Sequence, residues 1–165
     1  MKIAVLSDIH SNLVNLSKVR TAIEEEKVAA VFCCGDIQTE DVLIEFKRWK
    51  MPIYLCWGNA DIALREKTEN NELDHGHVKI SDEYGEAEIR KRKIAFTHTD
   101  ELARKLAGMK KYDLVFYGHT HTPWISVQEE TTLVNPGEVA GHFGPATFAL
   151  CELDGKMKPE LKVII

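Results

Sequence analysis

The first half of the chain alternates between two periodicities, and this alternation limits the available folds more than any other feature. Apolar runs at Lys2 to Ser7, Ala29 to Cys34 and Pro52 to Trp57 read as strands. Between them, Leu13, Leu16 and Ile23, then Val42, Leu43, Phe46 and Trp49, recur at the three- and four-residue spacing of a helix face. Strand, helix and strand in that order close right-handed crossovers, which places the strands parallel in one sheet. Ser11 or Asn12 can cap the first helix, and Glu40 or Asp41 brings negative charge to the start of the second.

The second half changes character. Val78 to Ile80, Glu86 to Arg90, Lys93 to Thr97, Leu114 to Tyr117, Trp124 to Val127, Thr132 to Val134, Ala146 to Leu150 and Leu161 to Ile165 all read as strands. One helix interrupts them, Glu101 to Ala107, with Leu102 and Leu106 on its inner face and Gly108 as an expected left-handed stop. Asp154-Gly155 is a hairpin turn, and a long polar loop is expected from Arg65 to His77. No repeat or linker divides the 165 residues, so residues 1–165 are expected to form one domain.

Charge and composition narrow the class. With 44% hydrophobic and 28% charged residues the chain has the balance of a globular domain, which excludes disordered and coiled-coil readings. The net charge of −5 argues against long duplex nucleic acid as a primary partner, and Arg90 to Lys93 reads as a solvated turn. The longest apolar run, Val28 to Cys34, is too short to span a membrane, and Asp8 comes too early for a signal peptide, so a cytoplasmic protein is expected. Cys33, Cys34, Cys56 and Cys151 lie in apolar runs without metal-thiolate spacing, as buried thiols in a reducing compartment would.

Five apolar runs stop at a residue type that coordinates cations: Asp8, Asp36, Asn59, His98 and His119. Asp, Asn and His make up 22 of 165 residues, so five such endings would arise by chance with a frequency on the order of 10⁻⁵ before any discount for hindsight. Strand carboxyl ends open onto the crevice where α/β sheets bind ligands, so these endings can meet in space. Asp8-Ile9-His10 and His119-Thr120-His121 each add a donor two positions on. Seven donors, Asp8, His10, Asp36, Asn59, His98, His119 and His121, exceed the needs of one ion and suggest two divalent ions sharing a carboxylate. Mixed oxygen and imidazole donors without thiolate favour manganese, iron, zinc, cobalt or nickel over calcium or copper(I), and the sequence does not choose among the five.

The ordered series Asp8-x-His10, Gly35-Asp36, Gly58-Asn59, His98 and Gly118-His119-x-His121 resembles the calcineurin-like metallophosphoesterase superfamily, in particular its small single-domain bacterial and archaeal phosphodiesterases. The resemblance spans nearly the whole chain. It implies an α/β fold, a four-layer α-β-β-α sandwich of two packed mixed sheets flanked by helices. It also implies that Asp8, His10 and His121 hold one ion, Asn59, His98 and His119 hold the other, and Asp36 bridges. Asp36, Asn59 and His98 are then the catalytic candidates. The implied reaction is in-line attack on a small phosphodiester by a metal-bridging hydroxide. Two alternatives share the fold: a non-catalytic interaction scaffold, as in retromer, and a nuclease acting on short or single-stranded ends.

Two positions depart from the superfamily pattern. Gly58-Asn59-Ala60-Asp61 has alanine where a histidine is usual, as in the small phosphodiesterase branch, so position 60 supplies no general acid. Asp61 is then expected to be a cap for the helix Ile62 to Glu66. Asn135-Pro136-Gly137-Glu138 ends in Glu rather than Ser, and Glu138 is expected to face outward. His75 and His77 are expected at the surface of the polar loop, His142 is a minor candidate for substrate phosphate, and Trp57 and Trp124 are expected in the core or cleft wall.

Overall fold

The computed structural model describes residues 1–70 and 74–165. In chain order its elements are β1 (Lys2–Leu6), α1 (Leu13–Glu25), β2 (Val31–Cys33), α2 (Glu40–Lys47), β3 (Ile53–Cys56), a 3₁₀ turn (Asn59–Asp61), α3 (Ile62–Glu69), β4 (Lys79–Ser81), β5 (Tyr84–Ile89), β6 (Arg92–Thr97), α4 (Asp100–Gly108), β7 (Leu114–Phe116), β8 (Trp124–Gln128), β9 (Thr131–Asn135), β10 (Thr147–Glu152) and β11 (Lys158–Val163).

The strands form two mixed sheets, ordered β11-β10-β1-β2-β3-β4 and β5-β6-β7-β9-β8. β1 to β4 pair in parallel, as do β6, β7 and β9. The period-2 alternation of each central strand decides what it packs against. Ile3, Val5, Phe32 and Cys34 point between the sheets, where they meet Ile94, Phe96, Leu114 and Phe116 of the other sheet. Ala4, Leu6, Val31 and Cys33 point the other way, onto Leu16, Val19 and Ile23 of α1 and Val42, Leu43 and Phe46 of α2. Ala95, Val115 and Leu133 cover α4 through Ala103, Leu106 and Ala107. Two sheets with helices on both outer faces make four layers, α-β-β-α, as expected.

Several local expectations hold. Asn12 caps α1, its side chain accepting the Asn15 N–H at 3.0 Å, and Glu40 and Asp41 occupy the first turn of α2. Gly155, at φ +66°, turns β10 into β11. Others need correction. Gly108 is the last residue of α4, with Met109 as its C-cap, and the left-handed residue that follows is Lys110 at φ +55°. The helix after Asn59 continues to Glu69, so the first part of the expected 65–77 loop is helical; residues 71–73 of that loop lie outside the described residues. Leu13 is exposed, and Val19 takes the place assigned to it on the buried face of α1. Among the described residues, no helix is long and apolar enough to cross a membrane.

Candidate metal centre

The five strand endings converge at one end of the sandwich. Asp8 and His10 follow β1, Asp36 follows β2 and Asn59 follows β3, while His98 follows β6 and His119 and His121 follow β7. The loops are laced by main-chain hydrogen bonds that continue the parallel ladders: Asp8 N–H to the Gly35 carbonyl at 3.0 Å, His10 N–H to Asp36 at 2.9 Å, and Gly118 N–H to His98 at 2.9 Å.

The backbone is strained where the donors sit. Asp8, His10, Asp36, His119 and His121 all have positive φ, between +43° and +68°, a region that non-glycine residues rarely adopt. The glycines beside them serve close approach. Gly58 has an ordinary φ of −102°, so space rather than backbone conformation is what it supplies; a methyl group there would overlap Asp36 Oδ1. At Gly118 the added carbon would overlap Ser7 Oγ and lie 2.7 Å from Asp8 Oδ2.

The seven side chains form two clusters around one carboxylate. In the first, His121 Nε2 lies 3.4 Å and His10 Nε2 4.0 Å from Asp8 Oδ1. In the second, Asn59 Oδ1 lies 2.9 Å and His119 Nδ1 3.2 Å from His98 Nε2. Asp36 Oδ2 stands between them, 3.7 Å from His10 Nε2 and 3.5 Å from His98 Nε2. Donor atoms of Asp8, His10 and His121, and of Asp8, Asp36 and His98, lie within 4.8 Å of one another, so Asp8 also reaches both groups.

The surrounding hydrogen bonds orient these donors. His98 Nδ1–H donates to the Cys34 carbonyl at 2.7 Å, which turns Nε2 toward the site. Ala60 N–H engages Asp36 Oδ1 at 2.8 Å and His119 N–H engages Asp8 Oδ2 at 3.0 Å, leaving the other oxygen of each carboxylate to the cluster. Asn135 holds the His119–His121 turn by donating to the Gly118 carbonyl at 3.0 Å and Thr120 Oγ1 at 2.9 Å. Burial pushes the Asp8 carboxyl above its usual range despite hydrogen bonding to Ser7 and the nearby imidazoles. Asp8 Oδ1 and His10 Nε2 are buried without a hydrogen-bond partner among the described residues. A buried carboxylate oxygen and a buried ring nitrogen left without partners are costly, and a divalent cation between them would satisfy both, so the donor set fits divalent cations.

Two carboxylates differ from expectation. Glu138 is fully buried rather than outward-facing. Its carboxylate receives His121 Nδ1–H at 2.8 Å, Phe143 N–H at 2.6 Å and Gly144 N–H at 3.0 Å. Burial opposes its charge, but the His121 and main-chain donors outweigh it and hold the carboxyl below its usual range. Asp61 makes no side-chain cap to α3; it accepts N–H groups from Asp36, Gly58 and Gln38 at 2.8, 2.9 and 2.7 Å. Burial raises its carboxyl, offset in part by those N–H groups.

The remaining candidates are spread around the molecule. His77 is exposed and the half-buried His75 ring lies 3.0 Å from the Val78 carbonyl of its own loop. His142 is exposed, stacked 5.5 Å from His10, and Phe143, 82% exposed, meets His121 edge-on at 4.9 Å. Trp57 is buried beside the site, whereas Trp124 is 61% exposed on β8 and belongs to neither core nor cleft wall. A cleft of about 400 Å³ borders Asn59 and His98 and is lined by Trp57, Leu102, Arg65 and Lys105 with Asp82, Glu83 and Glu101.

Comparison with known proteins shows the family. The model of the calcineurin-like phosphoesterase superfamily domain matches residues 1–156. A phosphodiesterase of Methanocaldococcus jannaschii is 30% identical over 164 residues, 98% of each chain. The solved structure of an archaeal phosphodiesterase superposes with a TM-score of 0.80 at 29% identity, covering 98% of this chain and all of that one. Vacuolar protein sorting 29 of Cryptosporidium parvum shares the fold, with a TM-score of 0.70 at 18% identity over 98% of this chain and 96% of its own. The chain belongs to the calcineurin-like phosphoesterase superfamily.

Proposed function

We propose that the protein is a metal-dependent phosphodiesterase that uses two divalent ions, manganese foremost, to hydrolyse small phosphodiesters. The observation that carries this reading is the pair of donor clusters around Asp36 Oδ2, with buried Asp8 Oδ1 and His10 Nε2 left bare. Asp8, His10 and His121 would hold one ion, Asn59, His98 and His119 the other, with Asp36 between. Two ions held by these residues would supply a water of lowered pKa and positive charge for the oxygens of the ester.

The chain's own groups do the positioning. The Cys34 carbonyl fixes the His98 ring, the Ala60 N–H fixes Asp36, and the neighbouring cleft of about 400 Å³ has room for one small ester arm. Asn59 and His98 line that opening, and with the buried Asp36 behind them they are the catalytic residues in this reading. The archaeal relative named a phosphodiesterase supports the substrate class. Net charge of −5 argues against a nuclease, and four buried unpaired thiols suit the cytoplasm.

The test is hydrolysis of bis-p-nitrophenyl phosphate by purified protein loaded with Mn²⁺, combined with metal analysis. Asp36→Ala and His119→Ala should each abolish turnover. A protein that carries its metals yet leaves every activated ester intact would instead support the scaffold role that the fold also serves.

A further inference from the structure

We propose that Glu138 is a positioning residue whose carboxylate fixes the tautomer of His121 and latches the 141–145 loop beside it. The proposal rests on the reading of His121 as a metal ligand. An ionised carboxylate only accepts, so the 2.8 Å contact from Glu138 Oε2 requires the proton of a neutral His121 to sit on Nδ1. Nε2 then presents its lone pair on the side of Asp8 Oδ1, 3.4 Å away. The opposite tautomer carries Nε2–H and has nothing to offer a cation.

The other oxygen of Glu138 does separate work. Oε1 accepts the main-chain N–H groups of Phe143 at 2.6 Å and Gly144 at 3.0 Å. That contact holds the loop where the His142 ring stacks on His10 and the Phe143 ring meets the edge of His121. His121 itself stacks on His10 with ring centroids 5.2 Å apart. One buried side chain thus sets the proton on a ligand and the cover over the Asp8, His10 and His121 side of the site.

Glu138→Gln separates these roles. With its oxygen on the two loop N–H groups, the glutamine turns its NH₂ toward His121 Nδ1, which must then accept, and the proton moves to Nε2. The reverse placement leaves two main-chain donors facing an NH₂ group and is disfavoured. Long-range ¹H–¹⁵N correlation spectra of the metal-free protein should show His121 as the Nδ1–H tautomer in the wild type and as Nε2–H in E138Q. Calorimetric titration should show Mn²⁺ affinity in E138Q falling about 10- to 100-fold. An unchanged tautomer in E138Q overturns the proposal, as does a changed tautomer with Mn²⁺ affinity within twofold of wild type. If E138Q fails to fold, the wild-type spectrum decides: an Nε2–H tautomer overturns the proposal and an Nδ1–H tautomer supports it. A wild type that binds Mn²⁺ but hydrolyses no phosphodiester would sink the proposed activity and leave this inference standing.

Discussion

Asp36 donates its main-chain N–H to the Asp61 carboxylate at 2.8 Å, while its own carboxylate stands between the two donor clusters. Asp61 therefore governs the site from one layer behind it, gathering the loops after β2 and β3 through Asp36, Gln38 and Gly58. In Asp61→Asn one oxygen becomes an NH₂ group that faces a main-chain donor. The expected cost is about 1–3 kcal/mol, a fall in Tm of roughly 2–12 °C for a chain of this size. Thermal denaturation of the metal-free protein checks it; an unchanged Tm counts against the role.

Gly58 and Gly144 offer a paired test of close packing. A methyl group at Gly58 meets Asp36 N at 2.5 Å, whereas one at Gly144 meets nothing within 4 Å. Gly58→Ala should destabilise the protein by about 1–3 kcal/mol and weaken Mn²⁺ binding. Gly144→Ala should stay within about 0.5 kcal/mol of wild type. Chemical denaturation of both variants distinguishes a steric demand at position 58 from a general sensitivity to added methyl groups.

Position 60 is alanine, and its N–H is committed to Asp36 Oδ1. Without an imidazole there, a departing alkoxide lacks a proton donor at that position. Aryl phosphodiesters should therefore turn over at least roughly 100-fold faster than alkyl ones, the contribution usually supplied by a positioned general acid. Measuring kcat across leaving groups of graded pKa tests this, and a flat series would contradict it.

All four cysteines are buried, and burial raises their pKa values, that of Cys151 to about 12. A raised thiol pKa keeps the neutral form as pH climbs through 8, and only the thiolate attacks disulfide reagents. Native protein at pH 8 should consume no Ellman reagent within minutes, and unfolded protein should consume four equivalents. A fast-reacting thiol in the native state would show that one of these strands opens.

The parallel strands of the first half were legible because burial on both faces makes them continuous apolar runs, as in Ile3 and Val5 toward the other sheet and Ala4 and Leu6 toward the helices, while the four-layer sandwich followed from the resemblance to the superfamily. Five of the seven candidate donors were legible as the ends of apolar runs, and His10 and His121 as donors two positions beyond two of them. Glu138 and Asp61 were not, for a common reason: a carboxylate's burial depends on donors that only folding brings to it. For Glu138 the main donor is His121, 17 positions away, and for Asp61 it includes Asp36, 25 positions away. Gly108 misled because glycine permits a left-handed stop without requiring one, and Lys110 takes that conformation instead.

Each donor cluster draws on both sheets: Asp8 and His10 face His121, and Asn59 faces His98 and His119. An ion captured on either side would rivet one layer to the other, so a half-formed sandwich would have no grip on metal. Among the side chains that fill the gap between the layers is Phe32, whose ring sits 5.4 Å from Phe96 and 5.2 Å from Phe116. Those rings act as a shim: thinning one would let the layers slide and retune which ionic radius the centre prefers, far from any donor atom.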